Sequence, residues 1–122
     1  MAIAHSDMEE ALKTLECRTN FKVKKITEYM LPSLKEPFYL CTDNHNPQLI
    51  IRPAFEVFAN ELSGLDGVSA KYSYYHNADM TRFPTRVNTG RTEVHYGLAF
   101  EFEHTKAVKT FIETLIKIAK GG

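Results

Sequence analysis

The segment VHYGLAFEFE, residues 94–103, constrains the fold more than any other part of the chain. Every second side chain in it is large and apolar, at Tyr96, Leu98, Phe100 and Phe102. Because successive side chains of a β-strand point to opposite faces of a sheet, this alternation predicts a strand with one face in a core. A helix with a broad apolar stripe is predicted directly after it. We therefore expect a sheet that buries one face against helices.

Apolar periodicity and turn residues predict the remaining elements. A capping box at Ser6 and Glu9 begins the first helix, and Pro53 suits the first turn of the second. The predicted elements are a helix over 7–18, strands over 21–30, 38–41 and 49–51, a helix from 53 that ends at Gly64 or Gly67, strands over 68–76 and 94–103, and a helix after 105. A change of phase at Lys25 and Ile26 predicts a bulge or bend in the first strand. The order α-β-β-β-α-β-β-α predicts one α+β domain, residues 1–122, with a mostly antiparallel sheet and helices packed on one face.

The charge balance limits the classes of function. Lys plus Arg and Asp plus Glu each number 15, so the formal net charge is zero. A strongly driven, non-specific nucleic-acid binder is usually basic, and a nucleic-acid mimic is strongly acidic. An electrostatic function therefore needs a local asymmetry of charge.

The two cysteines and the N-terminal sequence bear on the compartment. Cys17 and Cys41 have no zinc-type spacing, which favours two reduced thiols in a cytosolic protein. The first residues resemble no signal peptide, and no segment approaches the about 20 apolar residues that span a membrane. We expect a cytoplasmic protein with no membrane association.

The connection HNADMTRFPTRVNTGRTEVHYG, residues 76–97, lies in a region with a local excess of positive charge. Between residues 71 and 96 there are four Lys or Arg and two Asp or Glu, which gives a local charge of +2. Tyrosines and a phenylalanine lie among these cations. Guanidinium groups suit phosphate, and aromatic rings stack on bases, so the pattern is typical of an anion- or single-strand-binding surface. The alternative is a solvated hairpin connection whose arginines pair with Asp79 and Glu93.

A non-enzymatic binding domain for nucleic acid or another anionic macromolecule is the leading hypothesis. Its candidate binding residues are Tyr74, Tyr75, His76, Arg82, Phe83, Arg86, Arg91 and His95, on a surface that includes Tyr72. The arginines would contact phosphate, and Tyr74, Tyr75 and Phe83 would stack on bases. The same surface suits a protein-interaction module, such as a regulator or inhibitor of a larger protein or a homodimer, because Tyr and Arg are typical hot-spot residues.

Two further interpretations stay open. A small enzyme would use His76 or His95. A metal site would need Cys41 with Asp43 and His45, or the pair of histidines, but no spacing matches a known ligand set. No catalytic residue, metal or cofactor is therefore predicted.

A second basic run lies near the first strand. It consists of Arg18, Lys22, Lys24 and Lys25. Such cations commonly protect a sheet edge from pairing with another strand. If they share a face with the arginines of the connection, one continuous positive patch results.

Short steps in the C-terminal two-thirds of the chain carry a family resemblance. They are Ile51-Arg52-Pro53, Phe83-Pro84, His95-Tyr96-Gly97 and the amphipathic helix from Lys106. In these steps the chain resembles the YgaC family of small bacterial cytoplasmic proteins, which has no assigned activity. The resemblance implies a single α+β domain and assigns no functional residue.

Overall fold

The computed structural model describes residues 3–42, 46–71, 74–87, 90 and 92–121. Its elements are α1 (His5–Thr14), β1 (Arg18–Val23), β2 (Ile26–Met30), β3 (Pro37–Cys41), β4 (Gln48–Ile51), a 3₁₀ helix (Pro53–Phe58) continued by α2 (Ala59–Ser63), β5 (Val68–Ala70), β6 (Tyr75–His76), β7 (Thr85–Val87), β8 (Glu93–Phe102) and α3 (Thr105–Ala119). The predicted α+β class and the order of elements are confirmed.

Two predicted strands are divided in the structure. The segment over 21–30 belongs to a hairpin, because Val23 pairs with Ile26 across a two-residue turn in which Lys24 has φ 55°. The change of phase in the sequence marks this turn, while β1 carries an irregularity between Thr19 and Phe21. The strand over 68–76 is divided into β5 and β6. The short strand β7, inside the connection, was not predicted.

All described strands belong to one antiparallel sheet with β8 near its centre. The order is β1-β2-β3-β4-β8-β5, and β6 and β7 also pair with β8. The backbone N–H of Asn77 donates to the His95 carbonyl at 3.0 Å, and that of Tyr96 donates to the Pro84 carbonyl at 3.0 Å. Because adjacent residues of a strand direct these groups to opposite sides, β6 and β7 flank β8 on opposite sides. The segment between them, residues 77–84, therefore crosses one face of the sheet; we call it the crossing segment.

The two faces of the sheet are covered differently. On the face that we call the helix face, one cluster joins all three α-helices to the strands: its buried members include Met8, Leu12, Phe38, Leu40, Leu49, Ile51, Leu62, Phe100, Phe102, Val108, Phe111 and Leu115. On the opposite face, a smaller cluster contains Ile26, Tyr39, Cys41, Ile50, Met80, Phe83 and Ala99. Helices thus pack on one face, as predicted, and the crossing segment covers the other.

The crossing segment is held against the sheet by a close approach to Gly97. Phe83 is 3% exposed, and its ring packs edge-on against Tyr39 with centroids 4.8 Å apart. A Cβ on Gly97 would lie 2.7 Å from Cγ2 of Ile50, 2.7 Å from the carbonyl oxygen of Ile51 and 2.8 Å from Cε2 of Phe83. This position therefore has room only for glycine. Three residues that are far apart in the sequence, Ile51, Phe83 and Gly97, are in contact at this point.

Within the described residues, no helix is both long and apolar enough to cross a membrane.

Candidate functional site

The pairing of β8 divides the candidate residues between the two faces of the sheet. His76 pairs with Tyr96, whereas Tyr75 pairs with Gly97 and Thr85 pairs with His95. Residues opposite each other in an antiparallel ladder share a face. His76 therefore lies on the helix face with Tyr96, and Tyr75 and His95 lie on the opposite face. The single surface that the sequence predicts is two surfaces in the structure.

A cluster of aromatic rings around Arg86 lies on the helix face. The guanidinium carbon of Arg86 is 5.0 Å from the ring centroid of Tyr74 and 5.5 Å from that of Tyr96. The two tyrosine rings meet edge-on with centroids 5.1 Å apart, and His76 stacks on Tyr96 at 6.0 Å. We call Tyr74, His76, Arg86 and Tyr96 the tyrosine–arginine cluster.

Arg86 is exposed, and it joins none of the ion pairs found in the described part of the chain. Ring faces attract a guanidinium through their quadrupole without occupying the N–H donors at its edge. Those donors can therefore form a two-pronged hydrogen bond to an oxyanion such as phosphate.

Glu56 of the 3₁₀ helix fixes the edge of the cluster. The hydroxyl of Tyr74 lies 2.9 Å from both carboxyl oxygens of Glu56. This hydrogen bond is the main reason that the pKa of Tyr74 is raised, with smaller contributions from desolvation and from the charge of Glu56. The hydroxyl thus stays a donor, and the ring is held beside Arg86. The side chain of His76 adds a buried Nε2 atom that has no hydrogen-bond partner among the described residues.

Arg82 lies apart from this cluster, in an ion pair. Its Nε donates to Oε2 of Glu28 at 2.9 Å, and the Glu28 side chain is fully buried. The Tyr39 hydroxyl donates to Oε1 of Glu28 at 2.7 Å and accepts from the backbone N–H of Arg82 at 3.1 Å. Desolvation, together with the hydrogen bond to Glu28, raises the pKa of Tyr39. Its hydroxyl therefore remains the donor that this network requires.

Three other predicted residues have structural partners on the opposite face. Nδ1 of His95 lies 2.6 Å from the carbonyl oxygen of Phe83, so this nitrogen must carry the proton and donate. The Tyr75 hydroxyl accepts from Sγ of Cys41 at 3.0 Å and from Nδ2 of Asn77 at 3.2 Å. The buried ring of Phe83 offers no face to a base. Stacking, predicted for Tyr74, Tyr75 and Phe83, is thus open to Tyr74 on the helix face.

The catalytic and metal interpretations find little geometry to support them. His76 and His95 lie on opposite faces of β8, so no cleft on one face contains both. Burial raises the pKa of Cys17 to about 12, and Cys41 is 0% exposed, so neither thiol is placed as a nucleophile. Within the described ranges, no group of three His, Cys, Asp or Glu side chains could hold a metal ion. Four residues of the predicted sites lie outside those ranges: Asp43, His45, Tyr72 and Arg91.

The candidate binding residues predicted from the sequence do not include Tyr96, Glu56 or Glu28. Tyr96 was assigned to the core-facing set of β8, and it does share that face, but it lies at the end where aromatic side chains replace helices as neighbours. The sequence signal for Tyr96 was its hydroxyl group, since Tyr96 begins an otherwise apolar series of alternate residues. Glu28 gave a signal too, since it occupies a core-facing position between Ile26 and Tyr29.

Comparisons with protein families, with curated proteins and with solved structures found no match to this chain.

Proposed function

We propose that this protein is a non-enzymatic binding domain that recognises single-stranded nucleic acid through the tyrosine–arginine cluster. The observation that carries the proposal is the Arg86 guanidinium, which lies against two tyrosine rings and outside every ion pair of the described residues. Proteins that bind single strands combine cationic contacts to phosphate with aromatic rings on which bases stack. Arg86 supplies the first component and Tyr74 the second.

The cluster suits a short, weak contact. It offers one arginine, hence one phosphate contact, and a half-buried tyrosine, hence one stacked base. Other anionic macromolecules that present phosphate groups could bind Arg86 but would offer no base to stack on the Tyr74 ring. A preference for single strands over duplex therefore follows from the stacking component, because bases in a duplex keep their faces covered.

The test is the binding of a fluorescent oligothymidylate, followed by anisotropy at low salt. Arg86→Ala is expected to weaken binding about tenfold, the value of a charge-assisted hydrogen bond to phosphate. Lys117→Ala is the matched control, because it removes one positive charge from an exposed position on α3. Equal weakening by both substitutions would show that the oligonucleotide responds to overall charge and not to the cluster.

A protein partner is the second candidate function, and one observation favours it. Val57 is 81% exposed and Phe58 is 36% exposed, directly after Glu56 at the edge of the cluster. Exposed apolar residues beside tyrosine and arginine are typical of interaction surfaces, including those of homodimers. A partner retained from a nuclease-treated lysate, and lost with Val57→Asp, supports this function over the first.

We also propose that the chain is a cytoplasmic member of the YgaC-like family. Contact between the Ile51, Phe83 and Gly97 steps supports the membership, because a shared close approach gives a physical reason for these steps to occur together. Two free cysteines, Cys17 and Cys41, support a reducing compartment.

A further inference from the structure

A chain of hydrogen bonds joins the two basic runs on the opposite face of the sheet. Nε of Arg18 donates to Oδ1 of Asn20 at 3.2 Å, and Nδ2 of Asn20 donates to Oε2 of Glu28 at 2.7 Å. The same carboxyl oxygen accepts from Nε of Arg82 at 2.9 Å. Arg18 therefore shares a face with Arg82, from the other basic run, and a single buried carboxyl group links the two.

Arg18 and Arg82 each donate from Nε in this series of hydrogen bonds, which leaves their terminal Nη nitrogens as further donors. The Arg82 side chain is 58% exposed, although its ion-pair partner is fully buried. Arg18 is exposed and joins no ion pair in the described ranges. Within those ranges, the Nη groups of neither residue have a hydrogen-bond partner. A guanidinium fixed at Nε can present its two Nη groups outward in one orientation.

The base of this arrangement is held by several hydrogen bonds. Glu28 accepts from Tyr39, from Asn20 and from Arg82, so both of its oxygens are occupied. The backbone of Arg82 is separately bonded to the Tyr39 hydroxyl at 3.1 Å. An ion pair that serves only to neutralise Glu28 would not require the second arginine. Two guanidinium groups against one carboxyl group leave a local charge of +1.

We propose that Arg18 and Arg82 form a phosphate-binding pair on the opposite face of the sheet. Two forks that approach from different segments, β1 and the crossing segment, suit an anion with three or four acceptor oxygens better than a planar carboxylate. The group bound is a phosphate, either free inorganic phosphate or a phosphate carried by a nucleotide. This site shares no residue with the tyrosine–arginine cluster and does not depend on the function proposed for it.

The test is a titration of the ¹⁵N-labelled protein with inorganic phosphate at constant ionic strength, followed by NMR. Saturable shifts are expected at the Nε–Hε signals of Arg18 and Arg82, with a dissociation constant in the millimolar range. Arg82→Lys keeps the charge and the pairing with Glu28 but removes the outward fork, and it is expected to weaken binding at least about tenfold. Arg18→Ala, at an exposed position that leaves Glu28 paired, is expected to weaken binding by a similar factor.

Lys117→Ala is the control, because it removes one positive charge from an exposed position on α3, on the helix face, and it should leave the shifts at Arg18 and Arg82 unchanged. Parallel titrations with uridine 5′-monophosphate and with a thymidine dinucleotide distinguish a terminal phosphate from a backbone phosphodiester. Saturation by any of these phosphates that is lost in Arg82→Lys and in Arg18→Ala supports the pair. Shifts that do not saturate, or that persist in both Arg82→Lys and Arg18→Ala, would overturn the phosphate-binding pair. This outcome is independent of the oligothymidylate test of Arg86.

Discussion

Glu28→Ala is expected to lower the free energy of unfolding by about 2–4 kcal/mol, the combined cost of an unsatisfied buried hydroxyl and a core cavity. The remaining ion-pair partner, Arg82, is 58% exposed, so its charge stays in contact with water. The Glu28 side chain is fully buried and accepts from Tyr39, Asn20 and Arg82. Its removal leaves the Tyr39 hydroxyl without its acceptor inside the core and leaves a cavity beside it. Since a domain of this size has a total stability of about 5–15 kcal/mol, the variant is expected to lose a substantial part of its stability.

Urea denaturation followed by circular dichroism measures this effect. Glu103→Ala is the control, because this carboxyl group is exposed, and a change within about 0.5 kcal/mol is expected there. Glu28→Gln keeps the shape and an acceptor oxygen, so its loss of stability should fall between the two. If Glu28→Ala destabilises the protein no more than Glu103→Ala, the network does not hold the crossing segment.

Gly97→Ala is expected to lower the free energy of unfolding by about 3 kcal/mol, the upper part of the range for inserting a methyl group into a packed core. The added Cβ would lie 2.7 Å from the carbonyl oxygen of Ile51, a backbone atom of the neighbouring strand β4. It would also lie 2.8 Å from the ring of Phe83, so either β4 or the crossing segment must move. The backbone of β8 has no cheaper way to relax, because it is paired on both sides.

The matched control is Gly90→Ala, since a Cβ on Gly90 would meet nothing within 4 Å. Thermal denaturation of both variants gives the comparison, and Gly90→Ala is expected to keep the melting temperature of the natural sequence. Similar melting temperatures for the two variants would contradict the close approach at Gly97. A second readout is the Phe83 ring, whose NMR signals should shift in Gly97→Ala and not in Gly90→Ala.

The sheet and its helices were predictable because their patterns are local. Alternation in VHYGLAFEFE marked β8 and the face it buries, and the apolar stripe after it marked α3. The hairpin of β1 and β2 was predicted as one bent strand, because a two-residue turn at Lys24 and Lys25 carries no glycine, asparagine or aspartate to mark it.

The candidate site was less predictable because its contacts are distant in the sequence. Arg82 and Arg86 are four residues apart, yet one turns to the opposite face and the other to the helix face, since strand alternation begins only at Thr85. The ion pair of Arg82 joins it to a residue 54 positions away, and no local pattern reveals such a partner. Met80 and Phe83 were read within a polar connection, although their burial makes that connection part of the core.

The salt dependence of oligothymidylate binding shows directly whether Arg86 of the tyrosine–arginine cluster contacts a nucleic-acid phosphate. One phosphate contact on a single strand predicts a slope of about −0.7 in a plot of log Kobs against log salt concentration. Arg86→Ala should make that slope shallower by about 0.7, the contribution of one phosphate contact, and Lys117→Ala should leave it unchanged. No binding at low salt, or a slope that Arg86→Ala does not alter, would contradict this contact between Arg86 and phosphate.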